Sequence, residues 1–540
     1  MIKKSIQFSA FVFLFAISTS VLAQKKATNK PNILFIAVDD LKPLLGCYGN
    51  TLVKTPNIDR LAKMATVFNR NYCQQAICGP TRASLMTGTR PDVTQVWNLT
   101  TQMRDVNPDL VTLPQYLISQ GYTTSGIGKI YHPSSAIKGV DPVSWSIPYL
   151  KSKESDFPAE FGEPANGQYQ LKETKERMTP EIIAERKLKN KDLAANDENP
   201  KSIKGPSTEC IDLPDNAYQD GVNALLAKDQ IIALSKEDKP FFMAVGFSKP
   251  HLPFVAPKKY WDLYNREEMT IATFQEHSKN GPLIAYHQSG ELRNYLDIPE
   301  FATLPADSLR IGLKLEKQKE LIHGYYAAIS YMDAQVGILL NTLESLGTLE
   351  NTVIVLWGDH GWHLGDHDLW HKHTNFEEAT RAPLLIAGPG IKAGKTSSLT
   401  EFVDVFPTIC DLAGVAIPKN LDGKSLKPLM LNNKLAGKEY SISQYPRKMK
   451  KAEMARVGYT DPKIMGYSLR TDKFRYTIWM NNFNSTQSFN EAQVYASELY
   501  DYVKDPLEKV NVVNDKNYAA TSKELKSKMI AFFKSQEAKK

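Results

Sequence analysis

Cysteine is scarce in this chain of 540 residues, which contains five: Cys47, Cys73, Cys78, Cys210 and Cys410. A scaffold held together by many disulfides is therefore excluded, and because five is odd, at least one thiol stays unpaired. Stability must come mainly from a hydrophobic core. Hydrophobic residues at 42% and charged residues at 23% can supply one, and they exclude a disordered or fibrous chain.

A large excess of charge of either sign is also missing. The formal net charge is +7, and it falls to +5 if Lys3 and Lys4 are removed with an N-terminal leader. A mild basic excess favours encounter with polyanions. It is too small to indicate nucleic-acid binding, and no nucleic-acid-binding motif is present. We therefore expect no nucleic-acid partner.

Long apolar runs are absent after residue 23. Before it, "FSAFVFLFAISTSVLA" follows two lysines and ends with Val21 and Ala23 at a small-residue cleavage site. This pattern predicts a signal peptide at residues 1–23 and a mature chain from about Gln24. A membrane anchor is the alternative, but the run is short for a bilayer span. We expect an exported protein, periplasmic or secreted, without a membrane anchor.

Four stretches are almost continuously apolar, as in strands buried on both faces of a parallel sheet. They cover residues 33–38, 240–247, 352–357 and 382–390. Helical patterns lie between them, and the clearest is residues 323–347. Its apolar positions recur at three- and four-residue steps: Ile329, Met332, Val336, Leu339 and Leu343. Buried strands alternating with helices predict an α/β domain with a large central sheet.

The sequence pattern changes twice along the chain. Residues 150–205 are polar and mixed in charge, which predicts a surface excursion with one short helix at 179–190. After residue 430, segments rich in Tyr, Ile and Trp predict short antiparallel strands, and residues 521–536 predict a final helix. We therefore expect a catalytic domain at 24–430 and a small C-terminal α+β subdomain at 431–540.

Polar residues follow three of the predicted strands, where an open α/β sheet places its ligand site. Asp39 and Asp40 follow the first strand, Asp359 and His360 follow another, and His251 lies after a third. A lone Asp pair would more often cap a turn. Two acidic clusters at strand ends favour one shared divalent cation, and their oxygen ligands suit calcium or magnesium better than zinc.

Cys78 opens the segment "CGPTRASLMTGTRP". A free cysteine usually acts as a small buried hydrophobe. Here, however, Cys78, Pro80 and Arg82 followed by small residues resemble the Cys-x-Pro-x-Arg signature of the type I sulfatases. In that family a maturation enzyme oxidises the cysteine to Cα-formylglycine. The hydrated aldehyde attacks sulfur, the alcohol leaves, and loss of a proton from the second hydroxyl releases sulfate. The resemblance implies that Cys78 is modified in the same way.

The resemblance covers nearly the whole mature chain and is strongest to the iduronate-2-sulfatase branch of the family. Nine segments occur in the same order, among them "VDDLKPLLGCYGN", "LPQYLISQGYTTSGIGKIYHP", "GDHGWHLGDH" and "KIMGYSLRT". The resemblance implies an alkaline-phosphatase-like fold, with a large mixed or parallel sheet flanked by helices and a small C-terminal subdomain. It also implies a sulfuric ester hydrolase.

The family's site residues transfer onto matching positions. The resemblance implies that one calcium ion is bound by Asp39, Asp40, Asp359, His360 and the modified Cys78. Arg82 would stabilise the hydrated aldehyde. Lys129 and His132 would lie beside it, with His132 taking the proton that releases sulfate. Many relatives have one residue between this Lys and His, whereas two stand here. His251 and Lys372 match residues that contact sulfate or the leaving oxygen.

Two other functions remain open at this point. Phosphonate monoester or phosphodiester hydrolases can also use formylglycine, although they lack segments such as "KIMGYS" and "SQYPR". A secreted glycan-binding protein with an unmodified Cys78 is the non-catalytic alternative, and the complete set of polar site residues argues against it. The alkaline phosphatases of the superfamily place Ser or Thr at the nucleophile, so Cys78 argues against that chemistry.

The substrate implied by the resemblance is a sulfated polysaccharide or oligosaccharide carrying a 2-O-sulfate on a uronic acid. Glycosaminoglycan, ulvan and carrageenan are all open. A buried uronate carboxylate needs a basic partner, and Lys372, Arg447 and Arg470 are the candidates in that order. Trp362 and four histidines (His363, His367, His371 and His373) crowd one segment, which we expect to form a wall of the pocket rather than a transition-metal site.

Overall fold

The computed structural model describes residues 30–178, 205–287, 289–293, 295–298, 312–448 and 463–538, with the side chain of residue 448 excepted. The predicted signal peptide at 1–23 and the short helix at 179–190 lie outside these residues. None of the described helices has the length and apolar character needed to cross a bilayer. All five cysteines carry free thiols.

The described strands run in chain order as follows: β1 Asn32–Val38, β2 Ala65–Tyr72, β3 Thr123–Gly128, β4 Thr208–Ile211, β5 Phe241–Phe247, β6 Phe254–Pro257, β7 Thr352–Gly358, β8 His363–Leu364, β9 Trp370–His371, β10 Leu384–Ala387, β11 Gly394–Glu401, β12 Ser441–Lys448, β13 Lys463–Arg470, β14 Phe474–Asn481 and β15 Val494–Asp501.

The described α-helices are Pro56–Ala62, Cys78–Thr87, Pro91–Thr94, Met103–Val106, Leu113–Ser119, Lys172–Arg177, Gln219–Leu234, Lys258–Trp261, Gly290–Arg293, Leu315–Ser345, Glu377–Thr380, Val405–Leu412, Lys427–Leu431 and Ala519–Glu537.

The central sheet has seven strands in the order β11-β2-β10-β7-β1-β5-β3. β1 lies between β5 and β7 and pairs with both in parallel. β10 is antiparallel to β2 and β7, so the sheet is mixed. The four apolar stretches read from the sequence are β1, β5, β7 and β10, which are neighbours here. Their central position explains why no polar residue interrupts them.

Alternate residues of β1 face two different cores. Leu34, Ile36 and Val38 join the core on one face, together with the helices Gln219–Leu234 and Leu315–Ser345. Ile33, Phe35 and Ala37 join the core on the other face, with the helices that contribute Leu85, Leu117 and Phe406. Side chains on a strand point alternately to opposite faces. A sheet covered by helices on both faces therefore needs an unbroken apolar run.

A second sheet of four antiparallel strands, in the order β12-β13-β14-β15, lies in the C-terminal part of the chain. The helix Ala519–Glu537 packs on it through Leu525, Met529, Phe532 and Phe533. The last strand ends at Asp501, and a turn follows it. The division at residue 430 remains a prediction.

Candidate active site

The carboxyl ends of β1 and β7 bring the two acidic clusters together. Asp39 and Asp40 follow β1, and Asp359 follows β7. The backbone N–H of Asp359 donates to the Val38 carbonyl at 3.1 Å. The backbone N–H of Asp40 donates to Asp359 Oδ1 at 3.0 Å. All three carboxylates are fully buried, so parallel pairing of two adjacent strands creates a compact acidic centre.

Arg82 joins these carboxylates to the segment that carries Cys78. The helix Cys78–Thr87 is buried along its whole length, and Cys78 and Arg82 lie one turn apart on the same side of it. Arg82 Nε donates to Asp359 Oδ2 at 2.9 Å, and Nη2 donates to Asp39 Oδ1 at 3.0 Å. The guanidinium also donates to the Lys129 carbonyl. Arg82 therefore holds both strand ends against the helix.

Cys78 lies at the centre of the cluster. Its Sγ is 3.4 Å from His360 Nε2 and 4.0 Å from Lys129 Nζ. Burial raises the pKa of this thiol well above its ordinary value, and the nearby Asp39 carboxylate adds to the effect. An unmodified Cys78 would therefore be largely protonated, which makes it a weak nucleophile.

The acidic residues have opposite pKa shifts. Burial raises the pKa of Asp40 to about 7, and the Asp39 carboxylate contributes in the same direction. Burial acts on Asp39 too, but Lys129, His251 and Arg82 together hold its pKa well below the usual range. Asp40 also adopts a left-handed backbone with φ 57°, an uncommon conformation for a side chain other than glycine. The backbone of Asp40 is thus strained, and two adjacent carboxyl groups have pKa values shifted in opposite directions. Both features are common at functional sites.

The residues present fit a hard divalent cation. Ligand atoms of Asp39, Asp40, Cys78 and His251 lie within 4.8 Å of one another, and so do those of Cys78, Asp359 and His360. Three buried carboxylates are a donor set that calcium or magnesium prefers. Lys129 and Lys372 now donate to Asp39 and Asp40. These contacts show how strongly the carboxylates need positive charge.

His251 and Lys372 meet at a residue that the sequence did not single out. Glu291 Oε1 lies 2.9 Å from His251 Nε2, and Glu291 Oε2 lies 2.9 Å from Lys372 Nζ. Lys372 also bridges to Asp40 Oδ2 at 2.9 Å. Glu291 follows a polar loop without periodicity, so no pattern in the sequence marked it.

His132 lies in an open cleft next to the buried centre. The cleft has a volume of about 350 Å³, and its lining includes Asp39, Lys129, His132, His251 and Tyr295. Burial and the ammonium of Lys129 lower the pKa of His132 to about 3. The imidazole is therefore neutral at physiological pH and able to accept a proton.

The two arginines proposed as partners of a substrate carboxylate are used elsewhere. Arg470 donates to Glu377 Oε2 at 3.0 Å and stacks on Tyr502 at 3.7 Å, and it does not line the cleft. Arg447 donates to the carbonyls of Ile284, at 3.0 Å, and His373, at 2.5 Å. Lys372, in contrast, lies within the cluster of predicted site residues.

All nine other predicted site residues lie in or beside this centre, although distant parts of the chain carry them. They are Asp39, Asp40, Cys78, Arg82, Lys129, His132, His251, Asp359 and His360. Their roles remain predictions. The geometry is that of a buried, charge-paired centre that opens into a cleft.

Comparison with known proteins places this geometry in context. The family described as "Sulfatase" matches residues 31–415, and the one described as "N-sulphoglucosamine sulphohydrolase, C-terminal" matches residues 365–535. The iduronate 2-sulfatase of Mus musculus is 32% identical, with 95% of this chain and 97% of that protein covered. That of Homo sapiens is also 32% identical, with 90% and 92% covered.

Two solved structures are similar over nearly their whole length. One is a protein in complex with its substrate D-glucosamine-2-N,6-O-disulfate, with a TM-score of 0.66, 22% identity, and 95% of this chain and 99% of that chain covered. The other is the phosphonate monoester hydrolase of Agrobacterium radiobacter, with a TM-score of 0.65, 22% identity, and 94% and 96% covered. At this identity the likeness establishes the fold alone.

Proposed function

This chain belongs to the sulfatase family and is a sulfuric ester hydrolase, and from that premise we propose that it is an exported enzyme that removes a 2-O-sulfate from a uronic acid of a sulfated polysaccharide or oligosaccharide, at or near a chain end. Its alkaline-phosphatase-like fold, predicted from the sequence, is confirmed. The observation that carries the proposal is Cys78, buried 3.4 Å from His360 and 4.0 Å from Lys129 at the N-terminus of its helix.

Two groups would complete the site. Asp39, Asp40, Asp359 and His360 would hold calcium, and a maturation enzyme would convert Cys78 to formylglycine. When present, calcium supplies neutralisation of the sulfate oxygens, and formylglycine supplies a hydrated aldehyde as the nucleophile. Three buried carboxylates favour calcium over a softer ion.

The chain's own residues orient the substrate and move the proton. Lys129 and Lys372 carry fixed positive charge into the centre, where a sulfate monoanion would be attracted. Arg82 pairs with both Asp39 and Asp359, so it holds the helix that carries Cys78 against the ends of β1 and β7. His132 is neutral and lines the cleft, which suits it to accept the proton when sulfate is released.

The substrate class rests on the relatives and on the charge of the site. Both iduronate 2-sulfatases are named for a 2-O-sulfated uronic acid. A uronate carboxylate adds a second negative charge that must be paired if it is buried. Lys372 is the first candidate, because it lies beside Asp40 within the centre, whereas Arg447 donates to backbone carbonyls and Arg470 pairs with Glu377. The predicted leader favours periplasmic or extracellular polysaccharide.

The test is a panel of heparin, dermatan, ulvan and carrageenan oligosaccharides, treated with enzyme purified from the native host. NMR should show loss of sulfate at carbon 2, and the mass of the Cys78 peptide should fall relative to unmodified cysteine. Removal of calcium by a chelator should abolish turnover. The Cys78→Ala variant, which cannot be matured, is the matched control and should be inactive.

The outcomes separate the alternatives. Release of 6-O- or 4-O-sulfate alone would contradict the position while leaving the sulfatase assignment intact. Faster hydrolysis of phosphonate monoesters than of any sulfate ester would favour the other formylglycine-dependent chemistry. An active host enzyme in which every Cys78 remains a thiol would overturn the nucleophile.

A further inference from the structure

A group of side chains next to the active centre has no assigned task. It consists of His287, Glu291, His371 and His373, which we name the histidine cluster. The His371 ring stacks on the His287 ring with centroids 4.0 Å apart, and it meets the His373 ring edge to face at 4.6 Å. Lys372 stands between two of its members in the chain. The sequence favoured a pocket wall here, but the contacts indicate a more specific use.

The cluster contains several buried nitrogen atoms that lack a hydrogen-bond partner. Within the described part of the chain these are His371 Nδ1 and Nε2, His373 Nε2 and His287 Nε2. Leaving a buried polar atom unpaired costs about 1–3 kcal/mol. Four such atoms in one place are unusual for a native protein. An occupant from outside the polypeptide would remove this penalty.

The donor atoms of three members converge. One oxygen of Glu291 and one nitrogen each of His371 and His373 lie within 4.8 Å of one another. A zinc ion about 2.0–2.1 Å from each donor spans donors up to about 4 Å apart, so small rotamer changes would close the site. Two imidazoles and a carboxylate are a set that first-row transition metals prefer. The oxygen-rich set at Asp39, Asp40 and Asp359 is chemically different.

The protonation state suits the same occupant. Burial lowers the pKa of His371 and His373 well below the usual range, and the ammonium of Lys372 acts in the same direction. Both rings are therefore neutral, which is the form that binds metal. Neutral imidazoles would attract an anionic sugar group only weakly.

We propose that Glu291, His371 and His373 bind a divalent transition-metal ion, with zinc the favoured one, separate from the calcium site. Its task is structural. His371 and His373 hold left-handed backbone conformations, with φ 121° and 75°, and an ion bound to both would stabilise this strained loop. Lys372 lies between them in the chain, so the same ion would fix the position of its backbone. The metal site does not depend on the proposed substrate.

Zinc retention by the untagged holoenzyme tests the site. The protein is equilibrated with zinc in excess calcium, dialysed against calcium buffer, and measured by plasma mass spectrometry. We expect one zinc per chain in the wild type and none in the His371→Gln, His373→Gln double variant. His323→Gln is the matched control, since it removes another buried imidazole that packs on Trp261, and it should retain the zinc.

A second measurement on the unmutated enzyme guards against misfolding of the variant. Cobalt added in place of zinc, again with calcium in excess, should give the strong visible d–d absorption of a nitrogen-ligated ion of low coordination number. Zinc retained equally by the double variant would place it elsewhere and overturn the proposal. Wild type that holds no zinc and gives no cobalt absorption would overturn it as well, whatever the sulfatase activity proves to be.

Discussion

At the scale of single residues, Arg82 is a cation buried between two carboxylates of the site. Its side chain is fully buried, as are those of its partners Asp39 and Asp359. Burial alone would lower the pKa of the guanidinium, but the carboxylates of Asp359 and Asp39 outweigh burial and raise the pKa above its ordinary value. A buried ion pair of this kind contributes little net stability compared with apolar side chains of similar size. Removing one partner nevertheless lowers the free energy of unfolding strongly, because it leaves the other charge buried and unpaired.

We therefore expect Arg82→Ala to destabilise the protein by about 3–5 kcal/mol in the presence of a chelator, because two buried carboxylates lose their partner. Saturating calcium should reduce the deficit, because a divalent ion would compensate the same carboxylates. Denaturant unfolding with and without calcium measures both values.

The control for this substitution is Arg60→Ala. Arg60 pairs with Glu344 at the surface, with side chains 37% and 64% exposed, so its loss should change the free energy of unfolding by at most about 1 kcal/mol. An Arg82→Ala deficit that is equal with and without calcium would argue against an ion at Asp39 and Asp359.

Glu291 marks the limit of prediction for single residues. Cys78, Arg82 and the aspartates stand in short motifs or at strand ends, where their residue types already indicate chemistry. Glu291 is an ordinary acidic residue after a loop, and only its contacts with His251 and Lys372 reveal it.

At the scale of elements, Glu377 connects the short helix Glu377–Thr380 to the C-terminal sheet. It accepts hydrogen bonds from Arg470 on β13, at 3.0 Å, and from Arg475 on β14, at 2.6 Å. Arg475 also pairs with Glu508 at 2.8 Å. This network explains why Arg470 is unsuited to a substrate carboxylate, since its positive charge already pairs with the half-buried Glu377.

The same network predicts a pH dependence. Burial alone would raise the pKa of Glu377, but Arg470 and Arg475 outweigh it and lower the value to about 2, from an ordinary 4.5. A lowered folded-state pKa means that the stabilisation is complete above about pH 4.5 and is lost as the pH falls towards 2. Glu377→Gln should therefore cost about 3–5 kcal/mol at pH 7.

Urea unfolding of wild type and Glu377→Gln across the acid range measures this effect. The difference between the two proteins should shrink steadily below pH 4.5. The exposed Glu350→Gln should show a small and nearly constant difference. A Glu377→Gln deficit that persists unchanged down to the acid limit would show that lost packing, not charge, is responsible.

At the scale of the whole molecule, buried polar groups join the C-terminal sheet to the large sheet domain. Asp92 accepts hydrogen bonds from Gln444 at 2.8 Å, from Tyr467 at 2.6 Å, and from the backbone and hydroxyl of Ser485. Glu401 at the end of β11 similarly accepts from Arg90 and from the Ile442 backbone. The C-terminal sheet thus supplies hydrogen-bond donors to carboxylates that are buried in the large sheet domain.

We therefore expect the mature chain to unfold in one cooperative transition. A chain that stops at residue 430 should give no sharp calorimetric transition. Asp92 would lose Gln444, Tyr467 and Ser485, and Glu401 would lose the Ile442 backbone, at a cost of about 1–3 kcal/mol for each buried group left unpaired. Differential scanning calorimetry of residues 24–540 and 24–430 makes the comparison. Two separate transitions in the longer chain, one of them retained in the shorter, would show that the parts fold independently.

The sequence by itself determined four of the seven strands of the central sheet, the motif around Cys78 and the acidic residues at Asp39, Asp40 and Asp359, because these depend on local periodicity and on residues that are neighbours in the chain. The tertiary structure alone decided which charges meet. It paired Glu291 with His251 and Lys372, gave Arg470 to Glu377, and assembled the histidine cluster from residues 287 to 373. The reason is physical: loops have no period to read, and a long-range ion pair forms only where the packing of every other element brings its two partners together.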